Sequence, residues 1–69
     1  MQRTAVTSSN IAEVGYSDEH NTLELMFHSG MVYQYFDVPR HVYEELMQAA
    51  SIGVYVNTTI KGQYRYARV

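Results

Sequence analysis

A chain of 69 residues has room for one small core, worth about 3–5 kcal/mol unless reinforced, and the absence of Cys rules out a disulfide or a cysteine metal site as the reinforcement. Hydrophobic residues at 46% against 17% charged exclude a disordered chain, and the short apolar runs exclude a signal peptide and a membrane-spanning helix, so a cytoplasmic protein is expected. Net charge is −2, and its distribution is uneven. Residues 1–37 set Arg3 against Glu13, Asp18, Glu19, Glu24 and Asp37, whereas residues 38–69 set Arg40, Lys61, Arg65 and Arg68 against Glu44 and Glu45. The basic side is C-terminal, but an overall acidic balance speaks against nucleic acid rather than for it.

Residues 1–10 show no helical or strand period and read as a flexible N-terminal leader or an edge extension, leaving 11–69 as the single domain. Ile11-Ala12-Glu13-Val14-Gly15-Tyr16 has a partial period of two and reads as a strand. After the polar Ser17-Asp18-Glu19-His20-Asn21, the segment Thr22 to His28 alternates with Leu23, Leu25 and Phe27 on one side, the clearest strand in the chain. Ser29-Gly30 suits a two-residue turn, and Met31 to Val38, β-branched and aromatic, reads as a third strand.

A two-residue loop pairs Phe27 with Val32, Leu25 with Gln34 and Leu23 with Phe36, and puts these six on one face. That face is the expected core. An even-numbered first loop adds Ala12, Val14 and Tyr16 to it. Met26, Tyr33, Glu24 and Tyr35 then occupy the outer face, joined by Glu13 and Gly15.

Pro39 suits the first position of a helix running to about Ala50, with Val42, Leu46 and Ala49 or Ala50 on the apolar side, flanked by Tyr43 and Met47. Such a helix should close over the Leu23 face. Ser51-Ile52-Gly53 interrupts it, residues 54–60 fit a short second helix or a strand, and residues 63–69 fit an edge strand or an extended tail. The expected fold is α+β: a three-stranded antiparallel β-meander, an amphipathic α-helix, and a short second helix or edge strand.

Enzymatic chemistry finds little in the sequence. His20, His28 and His41 share no ligand-like spacing, His41 and Glu45 make an ordinary helix-surface pair, and Ser51-Ile52-Gly53 lacks the preceding Gly of a nucleophile elbow, so neither a metal nor another cofactor is expected. Two features invite binding instead. Tyr33 and Tyr35 share the outer face, where they serve as a stacking platform for bases or as cross-strand packing partners. Lys61, Tyr64, Arg65, Tyr66 and Arg68 interleave cations with aromatics, which suits phosphates and bases or a solvated edge that resists aggregation.

Around Tyr33-Gln34-Tyr35 the chain resembles the KTSC domain, a family named for its occurrence at the C-terminus of some lysyl-tRNA synthetases. The resemblance rests on that central Tyr-x-Tyr, on Gly15-Tyr16, Leu23-Glu24-Leu25 and Phe27, on Ser51-x-Gly53, and on Ile60-Lys61-Gly62-x-Tyr64, and it covers roughly residues 8–68. It implies a stand-alone small bacterial form of that domain, of uncharacterised function. The synthetase association implies RNA or single-stranded nucleic acid as a ligand, through the residues of both candidate features. The competing expectation is a protein-interaction or self-associating module meeting another chain through Met26, Met31, Tyr33 and Tyr35.

Overall fold

In the computed structural model, which describes all 69 residues, the chain forms a five-stranded antiparallel sheet in simple sequential order. The strands are β1 (Arg3–Ala5), β2 (Ile11–Ser17), β3 (Thr22–Phe27), β4 (Val32–Tyr35) and β5 (Tyr66–Arg68). Helix α1 (Arg40–Gln48) and the shorter α2 (Ile52–Tyr55) cover one face, and α2 runs on into a π-helical turn over Val56–Ile60. The α+β class stands, but the expected three strands are five. The two additional strands are three-residue edges at either end, too short to carry a period of their own. Three of the residues read as a leader, Arg3–Ala5, are one of those edges and pair with Glu13–Gly15 of β2.

The expected register of β3 on β4 is off by one residue. Leu23 pairs with Tyr35, Glu24 with Gln34, Leu25 with Tyr33 and Met26 with Val32. The cause is the turn. Phe27 N–H donates to Met31 O and Gly30 N–H to Phe27 O, both at 2.9 Å, which encloses three loop residues, His28, Ser29 and Gly30. A two-residue Ser-Gly turn of the usual hairpin type would force Ser29 to positive φ. The three-residue form needs a positive φ only at Gly30, where it is 93°. One residue of slip exchanges the faces. Tyr33 and Tyr35 turn inward, while Val32, Gln34 and Phe36 turn away from the core.

The β2–β3 hairpin follows expectation, with four loop residues and Val14 and Tyr16 opposite Leu25 and Leu23. A bulge between Ile11 and Glu13 then substitutes Ile11 for Ala12 on the inner face, trading a small side chain for one that fills the core. The core consists of Ile11, Val14, Leu23, Leu25, Tyr35 and Val38, closed by Val42 and Leu46 of α1 and by Val56 and Ile60 of the π-turn. Stacked rings of Tyr16 and Tyr43, 5.0 Å apart, tie sheet to helix, and the Tyr16 hydroxyl donates to Val38 O at 2.6 Å. Pro39 occupies the cap position rather than the first helical turn.

Residues 54–60 are helical, not a strand. Ser51, rather than merely ending α1, begins α2, its hydroxyl accepting from Val54 N–H at 3.3 Å. The outer face of the sheet is polar. Arg3 reaches Glu13 and Glu24, each at 2.8 Å, and Gln34 donates to the second oxygen of the nearly buried Glu24, also at 2.8 Å.

Candidate functional site

The inward turn of β4 relocates the candidate platform instead of abolishing it. Tyr35, only 3% exposed, is a core residue and has no free face to offer. Burial, then the adjacent phenols of Tyr33 and Tyr66, raises its hydroxyl above the ordinary tyrosine range, so it stays neutral. Tyr33 is half-buried, and Tyr66, opposite Tyr35 on edge strand β5, is 61% exposed. The three rings form one cluster: Tyr66 lies 5.7 Å from both Tyr33 and Tyr35, which are 6.5 Å apart. Phe27 meets Tyr33 edge-on at 5.7 Å.

The helical layer stops short of β5, and a groove of about 740 Å³ opens over these aromatics. Phe27, Tyr33, Tyr35 and Tyr66 form its floor. One wall is Ser9, Asn10 and the β3–β4 turn, held together by His28 N–H donating to Asn10 O and by the His28 ring contacting Ser8 O at 2.8 Å. The other wall is Lys61-Gly62, which the π-turn delivers: Lys61 N–H donates to Val56 O at 2.8 Å, five residues back, and Gly62 continues at φ 80°. Lys61 Nζ ends 5.6 Å from the Phe27 ring centre.

Charge pairing separates this region from the rest of the surface. Arg3 is held by Glu13 and Glu24, Arg40 by Asp18 and Glu44, and Arg65 by Asp37 at 2.7 Å. Lys61 and Arg68 have no acidic partner. Lys61 lines the groove, and Arg68 is the register partner of Tyr33, so it shares the inner sheet face at the open end.

Of the seven residues that the sequence nominated, Tyr33, Tyr35, Lys61 and Tyr66 therefore converge, with Arg68 beside them. Tyr64 and Arg65 do not. Tyr64 packs against the core, and Arg65 faces Phe36 at 5.6 Å while bound to Asp37. Four groove residues went unremarked as a group, Phe27, His28, Asn10 and Gly62. Gly30 was their one available signal, since reading it as the third residue of a longer turn would have brought Tyr33 and Phe27 to the same face. No three His, Asp or Glu side chains converge in a way that could hold a metal ion, and no helix is long and apolar enough to cross a membrane.

Comparison with known proteins places these features in context. The family model described as the KTSC domain matches residues 7–64. An uncharacterised protein of Stutzerimonas stutzeri is 41% identical over 70 residues, covering 100% of this chain and 99% of that protein. A lysine–tRNA ligase of Trichormus variabilis is 44% identical over 61 residues, which is 88% of this chain but only 11% of the ligase. The crystal structure of a KTSC domain protein from Yersinia pestis superposes with a TM-score of 0.94 at 35% identity, over 99% of this chain and 96% of that one.

Proposed function

The chain belongs to the KTSC domain family, and from that premise we propose that it is a non-enzymatic binding module whose groove takes single-stranded RNA. The observation that carries this reading is the placement of charge: the two side-chain cations left without acidic partners are the two beside the aromatic floor. Elsewhere cations are spent on intramolecular pairs. An exposed Tyr66 ring offers a stacking surface, and Lys61 and Arg68 offer phosphate contacts on either side of it. A ligase that names tRNA as its substrate carries a segment 44% identical to this chain, which supports RNA over DNA. Only two free cations suit a short unpaired strand better than a duplex, whose binders neutralise many phosphates at once.

The test is a titration of labelled single-stranded RNA followed by fluorescence anisotropy. Tyr66→Ser should weaken binding at least about fivefold, the share of one base stack, with the fold unchanged by circular dichroism. Absence of measurable affinity at low salt overturns the reading.

A second reading, self-association, draws on the exposed apolar run at the same end of the sheet, Met31, Tyr66 and Val69. Sedimentation at increasing concentration separates the two readings, since only this one requires a mass above 8.0 kDa in the absence of RNA.

A further inference from the structure

Resting on the single-stranded RNA reading, the wall formed by Asn10 and His28 carries a more specific message. His28 Nε2 lies 2.8 Å from Ser8 O. A carbonyl oxygen can only accept, so Nε2 bears the ring proton, and in the neutral imidazole Nδ1 is left as an acceptor with no partner. Asn10 is anchored through its backbone, whose carbonyl accepts from His28 N–H at 2.9 Å and whose N–H donates to Ser8 Oγ at 3.3 Å. Its side-chain amide makes no hydrogen bond within the chain and is exposed at the groove. Two adjacent residues on one wall thus present a fixed acceptor, Nδ1, next to an amide that can accept through Oδ1 and donate through Nδ2.

We infer that this wall reads the edge of an unpaired base and selects adenine or cytosine. Both carry an exocyclic amino group beside a ring nitrogen that accepts. The two amino hydrogens would be shared between Asn10 Oδ1 and His28 Nδ1, while Asn10 Nδ2 donates to the ring nitrogen. Uracil and hypoxanthine put a carbonyl oxygen where the amino group stood, opposite the Nδ1 lone pair. Asn10 alone would not discriminate, because an amide can rotate to match either pattern. His28 cannot, because Ser8 O holds its tautomer, so His28 is the residue that sets the preference. The aromatic floor contributes affinity without sequence preference, since every base has a face to stack.

The experiment uses the whole chain and four short single-stranded RNAs at pH 8, where imidazole side chains are neutral: oligouridine, and the same strand with one central adenosine, cytidine or inosine. Adenosine should bind at least about fivefold more tightly than inosine, and cytidine more tightly than the all-uridine strand by a similar factor. His28→Phe keeps an aromatic ring at the turn but removes Nδ1, and it should bring both ratios close to one while leaving affinity for oligouridine within about twofold. Equal affinities for all four strands overturn the inference and leave the RNA reading intact. A preference that survives in His28→Phe overturns the role of His28. Failure of all four strands to bind overturns the RNA reading itself. The adenosine-to-inosine comparison needs no variant, so poor folding of His28→Phe does not remove the test.

Discussion

The two edges of the sheet use the same residue types to opposite ends. At β1, Arg3 is locked between Glu13 and Glu24, and the nearly buried Glu24 is completed by Gln34, so every charge has a partner and the edge is stitched to the strands behind it. At β5, Arg68 has no acidic partner, Tyr66 is exposed, and Lys61 reaches over Phe27 from a neighbouring loop. Satisfied charges stabilise a fold, whereas charges left unsatisfied beside exposed rings do not. The lesson is that the cations of this small acidic protein divide into structural and available sets, and only the available ones bear on function.

The division can be broken most forcefully at the available set. Lys61→Ala together with Arg68→Ala should lower single-stranded RNA affinity at least about tenfold and leave the melting temperature unchanged, because neither side chain is paired in the fold. Wild-type affinity should also fall with salt with a log–log slope of about −1.4, two phosphates at roughly −0.7 each, and the double variant should be nearly flat. A slope steeper than about −3 would mean that cations counted here as structural take part.

Arg3→Ala is the converse. It leaves the Glu24 carboxylate with Gln34 alone, so the melting temperature should fall while RNA affinity holds. Adding Glu24→Gln should recover part of the loss, since the uncompensated charge is then gone. No recovery would mean that Arg3 acts through packing of the edge rather than through charge.

Alkaline titration probes the phenols that hold the two regions on the core. Burial, and then its hydrogen bond to Glu45, pushes the Tyr55 hydroxyl up to about 12, and burial raises those of Tyr16 and Tyr35 as well. An unfolded tyrosine ionises near pH 10, so above that pH the folded state holds protons that the unfolded state has released. The stability these groups contribute is therefore complete below about pH 10 and lost as pH rises toward 12. Urea midpoints should drop between neutral pH and about pH 11, with tyrosinate absorbance rising as the chain unfolds. A flat profile would show that these hydroxyls are free to ionise in the folded state.

The smallest effect is expected at Arg65. Its pair with Asp37 is exposed on both sides, so Arg65→Ala should change stability by no more than about 0.5 kcal/mol and leave RNA affinity within about twofold, even though this residue stands in the basic-aromatic stretch.

Much of the architecture was legible in the chain. Leu23 and Leu25 announce the central strand, Val14 and Tyr16 its inner neighbours, and Val42 and Leu46 the helix that covers them, because each period is local and long enough to count. The site was legible in its members but not in its geometry. A single turn residue decided which face Tyr33 and Tyr35 occupy, and the difference between a two-residue and a three-residue loop lies in backbone strain at Ser29 rather than in any hydrophobic pattern. The groove itself depends on contacts distant in sequence: β5 joins β4 across some thirty residues, and Lys61 reaches Phe27 only because a π-helical turn ends there. Neither edge strand has a period to read, and the pairing of Arg65 with Asp37 can be seen only once the chain has folded.

The most direct test of the central claim is an NMR titration of the uniformly labelled chain with single-stranded RNA. The account expects the largest amide shift changes at Phe27, His28, Tyr33, Lys61, Gly62 and Tyr66, with Arg3, Glu13 and Gln34 on the opposite face unmoved. Changes centred on that outer face or on α1, or none at all, would contradict it.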